Sequence, residues 1–257
     1  MKINLYKIPA STLFTGKNLV FVPECRSTND LALQLCQQSS VTEGTLVITT
    51  NQTKGRGQRG NSWLSSPGLN LTFSLIFKPT FLSVANQFYL NIFTALAVHD
   101  YLKARITNTV AVKWPNDILV DDQKICGILV ENQIQGSHFQ AIIAGIGVNI
   151  NEHNFSAPVK ATSLSLKTQQ THDLQEELEL LLHKIEIRYL QLKEGKLAQL
   201  KEDYIRALFW RNEQHTFAAF DKQFQGSIID IDDTGRLLVD VDGNVRAFDL
   251  KEIAYIR

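Results

Sequence analysis

A chain of 257 residues with 26 Lys and Arg against 26 Asp and Glu carries no formal net charge, and 44% of it is hydrophobic. That balance excludes the basic surplus on which indiscriminate binding to nucleic acid or anionic membrane depends, and the length allows one large domain or one large and one small. No apolar run approaches the roughly 18 residues that span a bilayer, and the N-terminus lacks a charged start with an apolar core and cleavage site, so a soluble, cytoplasmic protein is expected.

In chain order, residues 19–22 read as a strand, and Ser27-Thr28-Asn29-Asp30 offers capping side chains to the amphipathic run 31–35. Residues 45–50 read as a second strand. Residues 69–77 alternate apolar and polar, the period-two pattern of a half-buried strand. A long helix is expected over 83–105, with Phe88, Ile92, Leu96 and Leu102 on one stripe. Next come a strand at 110–114, a turn at Pro115-Asn116-Asp117, a short strand at 118–120, a polar turn at 121–123 and a strand at 125–130. These read as hairpins, not βαβ crossovers. Residues 141–150 are nearly all apolar and are expected to be a strand buried on both faces.

Helical spacing returns at 173–193, with Leu174, Leu178, Leu181, Ile185 and Tyr189 on one face, and again at 197–208. From residue 214 onward short strands are separated by Asp-Lys, Asp-Asp-Thr-Gly and Asp-Gly-Asn turns, which suits a small appended β-barrel. The layout is α+β, divided into 1–213 and 214–257. Cys25, Cys36 and Cys126 are far apart among apolar neighbours and read as buried free thiols, and no His/Cys spacing suggests a protein-held metal.

Between the second and third strands lies Thr53-Lys54-Gly55-Arg56-Gly57-Gln58-Arg59-Gly60, a loop suited to an anion. Its glycines permit close backbone approach, and Lys54, Arg56 and Arg59 supply charge for phosphate or carboxylate oxygens. No Asp or Glu occurs from Gly44 to His99, so the local field is positive. Gly55, Gly57 and Gly60 also fit G-x-G-x-x-G, but 61–68 is too rich in turn residues to open a helix and the acid expected about 20 residues later is missing. Taken alone, the hexamer could equally be a plain surface loop.

Polar groups also interrupt three segments where a core would prefer apolar ones: Ser27-Thr28-Asn29, Lys113 to Asp117 with Lys124 and Gly127, and Gly145 to Asn149. Each has an ordinary structural explanation, respectively a helix cap, a snorkelling lysine, and an Asn satisfying backbone at a strand end. Together with Gln52 and Trp63, in this order, they resemble the catalytic domain of biotin–protein ligases over roughly residues 19–150. The specific stretches are Gly55-Arg56-Gly57-Gln58-Arg59-Gly60, Lys113-Trp114-Pro115-Asn116-Asp117 and Lys124-Ile125-Cys126-Gly127-Ile128-Leu129-Val130-Glu131.

The resemblance implies a mixed, largely antiparallel sheet packed by helices, akin to class II aminoacyl-tRNA synthetases, with a C-terminal SH3-like β-barrel. No helix-turn-helix pattern precedes the catalytic one, so the enzyme-only form is expected. Such enzymes join biotin to the α-phosphate of ATP as biotinyl-5'-AMP, release diphosphate, and pass the acyl group to a lysine of a biotin carboxyl carrier protein. Mg²⁺ is expected with ATP, held by phosphates and water. Both steps crowd anions, which fixed cations must neutralise.

By resemblance Arg56 serves phosphate and carboxylate, Lys124 the biotin carboxylate, and Lys113 the charge that develops during reaction. Ser27, Thr28, Asn29 and Gln52, with the backbone at Gly57 and Gly127, answer the ureido ring. Arg59, Trp63, Asn116, Asp117 and Asn149 belong to the nucleotide side. Gln58, placed with the biotin set, stands where the family frequently has an arginine associated with retaining the adenylate. The implied partner is the carrier domain of a biotin-dependent carboxylase, with no DNA, no membrane, and a homodimer left open. A lipoate- or octanoate-transferring enzyme and a non-catalytic sensor are the rival readings.

Overall fold

A computed structural model describes residues 6–38, 41–155 and 160–256. The chain runs β1 (Leu19–Cys25), α1 (Thr28–Gln38), β2 (Thr45–Gln52), β3 (Gly55–Arg56), β4 (Ser62–Trp63), β5 (Leu71–Phe77), α2 (Tyr89–Arg105), β6 (Val110–Lys113), β7 (Asp117–Val120), β8 (Gln123–Gln135) and β9 (His138–Val148). It continues through α3 (Leu164–Thr168), α4 (Leu174–Lys193), α5 (Leu197–Arg206), β10 (Gln214–Ala219), β11 (Lys222–Ile231), β12 (Leu237–Val241), β13 (Asn244–Phe248) and β14 (Ala254–Tyr255).

Among the described residues, seven strands form a sheet in the order β1-β2-β5-β9-β8-β7-β6. The β1–β2 pair is parallel and the other pairs are antiparallel, so the mixed, largely antiparallel α+β expectation holds. Strand alternation sends Leu46, Ile48, Phe73, Phe77, Ile142 and Ile146 into a large core with α2 and α4. The opposite set, Val47, Ile76, Ala141 and Ile143, packs under Ala32, Leu31 and Leu35 of α1.

Local expectations shift in instructive ways. The helix expected over 83–105 begins at Tyr89, because Ser83 accepts from the Ala85 amide and closes a separate 3-10 turn at Val84–Asn86. β5 is not half-buried: all its residues are buried, since helices cover both faces of a central strand. Cys126 is buried, but Cys25 and Cys36 are only partly so; all three thiols are free.

Residues beyond Arg211 build a five-stranded antiparallel sheet in the order β13-β12-β11-β10-β14. Its inward residues, Phe217, Ile228, Leu237 and Val239, join the large core. The segment that leads into it clamps the outer edge of the first sheet, with Val112 donating to the Ala207 carbonyl at 2.7 Å and Phe209 donating back to Val112 at 2.9 Å. Trp114 Nε1 donates to the Gly235 carbonyl at 2.9 Å. Edge strand β6 is thereby covered at Val112, whose amide and carbonyl are both paired. Among the described residues no helix is long and apolar enough to cross a membrane.

Candidate active site

The strand register creates the site. Thr72, Gly147, Gly127, Asp117 and Lys113 stand opposite one another in a single row across β5, β9, β8, β7 and β6, and Ser74, Gly145 and Leu129 form the next row. Both rows lie on the α1 side of the sheet. α1 covers only its apolar half, and the glycines leave the other half hollow. A Cβ on Gly145 would lie 2.2 Å from Asn29 Oδ1, and one on Gly147 would lie 2.3 Å from the Trp63 ring. The result is a cavity of about 340 Å³.

At one end stands the first turn of α1. Ser27 caps it, its carbonyl accepting from Leu31 at 3.1 Å and its Oγ from the Asp30 amide at 3.4 Å. Gln52 Oε1 accepts from the Thr28 amide at 2.8 Å, and Ser74 Oγ sits 2.7 Å from Thr28 Oγ1 and 2.6 Å from Asn29 Oδ1. Capping and pocket lining are both true of this segment, because Ser27, Thr28, Asn29 and Gln52 all face the cavity.

The glycine-rich loop is a hairpin flap. Gly55 pairs with Trp63 and Arg56 with Ser62, and Gln58–Gly60 form a 3-10 turn between the strands. Gly57, Gln58 and Trp63 line the cavity. The Arg56 guanidinium is already engaged: it donates to the Glu131 carboxylate at 2.9 and 2.7 Å and lies 2.8 Å from Asp30. Hydrogen bonding by Glu131 pushes its pKa up, against burial, which pushes it down. Asn29 Nδ2 donates to the same Glu131 at 2.7 Å, tying flap, helix and sheet together. The Arg59 side chain lies outside the described residues.

The far wall comes from the Lys-Trp-Pro-Asn-Asp turn, where the Trp114–Pro115 bond is cis. Lys124 pairs with Asp117 at 2.7 Å, its Nζ 5.6 Å from the Trp63 ring centroid. Asn116 donates to the Ile128 carbonyl and is nearly buried. Lys113 Nζ lies 4.9 Å from the centroid of Tyr255. Among the described residues, Trp63 Nε1 is buried without a hydrogen-bond partner.

Of the described residues expected from sequence to meet a ligand, Lys54 and Asn149 are set apart: Lys54 is exposed and does not line the cavity, and Asn149, also outside the lining, donates its side chain to the Thr162 carbonyl at 3.1 Å, the strand-end role. Asp30 and Glu131, placed from sequence only in a cap and a motif, and Ile253 to Tyr255, not named from sequence, complete the candidate site. Glu131 carried a signal, an acid closing an apolar strand. Tyr255 carried none, lying about 140 positions from Lys113 in sequence. Among the described residues no group of His, Cys, Asp and Glu converges to hold a metal. The donor set is cationic, suited to an anion that brings its own cation.

Comparison with known proteins adds identity to geometry. Residues 21–149 match the sequence profile of the biotin/lipoate A/B protein ligase family. The bifunctional ligase/repressor BirA of Bacillus subtilis is 29% identical over 238 residues, covering 90% of this chain and 72% of that protein. The biotin–[acetyl-CoA-carboxylase] ligase of Mycobacterium tuberculosis is 27% identical, covering 94% of this chain and 90% of that one. The structure of a biotin protein ligase from Aquifex aeolicus in complex with biotin and ATP superposes with a TM-score of 0.78 at 26% identity, over 94% of this chain and 99% of that chain.

Proposed function

The chain belongs to the biotin/lipoate A/B protein ligase family, and from that premise we propose the working assignment of its pocket. The protein is a biotin–protein ligase that activates biotin with ATP and transfers it to a lysine; the acceptor is the carrier domain of a biotin-dependent carboxylase. The observation that carries this reading is the convergence, in one cavity, of Lys113, Lys124 and Arg56 with the amide and hydroxyl set Gln52, Thr28 and Asn29. A linear acyl chain has no use for that polar set, whereas a ureido ring with a carbonyl and N–H groups leaves groups costing roughly 1–3 kcal/mol each if unpaired.

In this reading Ser27, Thr28, Asn29 and Gln52 orient the ureido ring. Lys124, steadied by Asp117, faces the biotin carboxylate. Arg56 exchanges Glu131 and Asp30 for substrate anions. Lys113 stabilises charge where the carboxylate meets the α-phosphate, and fixed cations do this best in a cavity that excludes water. Trp63 covers the ligands, Arg59 and Asn116 serve the nucleotide side, and Asn149 supports it indirectly through the 162 segment. Gln58 donates hydrogen bonds without charge. Mg²⁺ belongs to the nucleotide, held by phosphate oxygens and water. The division at 213/214 is retained on the start of β10 at Gln214.

The test is a labelled-acid assay. With Mg-ATP and a carrier domain, biotin is expected to label one carrier lysine with release of diphosphate. Preference for lipoate or octanoate would overturn the assignment.

A further inference from the structure

Lys113 ends β6, the outermost strand of the large sheet, and the residue over its ammonium comes from the other end of the chain. Tyr255 places its ring centroid 4.9 Å from Lys113 Nζ, within the range at which an aromatic face attracts a cation. The ring is not loosely hung. β14 pairs with β10 through Phe217 and Tyr255, and Phe217 and Trp210 stand 5.4 and 5.5 Å from the Tyr255 ring. The same segment that carries Trp210 is bonded to β6 one residue before Lys113, through the Val112 and Phe209 amides. Lysine and ring are thus held by a shared rigid support.

The hydroxyl has a different character. It is buried and without a hydrogen-bond partner among the described residues, and burial, then the nearby Asp117, pushes its pKa far up. The ring is what faces the cation, and Ile253, Ala254 and Tyr255 together form one wall of the cavity.

We propose that Tyr255 is a positioning residue for Lys113, through which the C-terminal sheet completes the site of acyl activation. The inference rests on the ligase reading above and gives the C-terminal sheet a role inside the reaction. A lysine on a four-carbon stem samples many rotamers. A ring fixed above its ammonium keeps the charge aimed at the reacting oxygens, so loss of the ring lowers kcat more than it raises KM.

The test is a double-mutant cycle read by biotin-dependent diphosphate release in the full-length protein. Tyr255→Leu is expected to lower kcat about tenfold with the biotin KM within about twofold. Tyr255→Phe, which keeps the ring, recovers most of that loss. In a Lys113→Ala background, Tyr255→Leu has no further effect, because its action runs through the lysine. Equal losses for Tyr255→Leu and Tyr255→Phe, or a full additional loss in the Lys113→Ala background, would overturn the proposal. If Tyr255→Leu fails to fold, Tyr255→Phe and Tyr255→Trp carry the comparison: both keep a ring, and collapse of kcat in both would equally overturn it. Absence of activity in the unaltered protein would instead defeat the ligase reading.

Discussion

Arg56, on the assignment proposed above, illustrates how a binding cation is kept ready. With Arg56 41% and Glu131 35% exposed at the side chain, their pair is worth under about 1 kcal/mol to stability, so a substrate anion can displace it at small cost. Lys113, in its proposed role at the reacting oxygens, is the contrasting case. Removing a charge aimed at a developing oxyanion costs on the order of 100-fold in rate or more. Lys113→Ala is therefore expected to leave biotin binding by calorimetry nearly unchanged while diphosphate release falls at least ~100-fold. Equal losses of binding and rate would reassign Lys113 to uniform ligand binding.

Elements decide whether those residues meet. The repeated small residues of β8 and β9 open the floor on which Trp63 rests, and a methyl group at position 147 would sit 2.3 Å from its ring. Gly147→Ala should expel the indole and shift the flap. The expected result is a red-shifted tryptophan emission and a fall in rate on the order of 100-fold, as an ångström-scale misplacement produces. Unchanged emission with unchanged rate would show that Trp63 does not depend on that floor.

The glycine loop, the Lys-Trp-Pro-Asn-Asp turn and the α1 cap were legible in sequence because each breaks a local rule of patterning. Most strands and helices were legible for the converse reason, that they obey it. The start of α2 was missed because Ser83 caps a separate turn. Full burial of β5 was hidden, since alternation does not reveal that the second face is also covered. The Tyr255 wall was invisible, because nothing local in residues 214–256 points to Lys113.

At the scale of the molecule, the segment before β1 is fastened by one carboxylate. Glu186 of α4 accepts from the amides of Leu13, Phe14 and Thr15 at 2.6, 2.9 and 2.9 Å. Burial raises its pKa, but the hydrogen bonds from Thr15, Leu13 and Phe14 outweigh it and hold the pKa below the ordinary carboxylate value. A depressed native pKa stabilises the fold above the unfolded value, and that contribution is lost as pH falls through the native one. Glu186→Gln should cost about 1–3 kcal/mol near pH 7, with the gap to the unaltered protein narrowing below about pH 4.5. A gap that stays constant as the solution is acidified would exclude this linkage.

The claim on which the whole account depends is that the cavity between α1, the flap and β14 condenses a carboxylate with a nucleotide. Isotope exchange between diphosphate and ATP measures that step alone, without any carrier. The account predicts exchange that requires biotin, is silent with lipoate, and is lost in Lys113→Ala protein that still binds biotin. Exchange that proceeds without biotin, or equally well after Lys113 is removed, would contradict it.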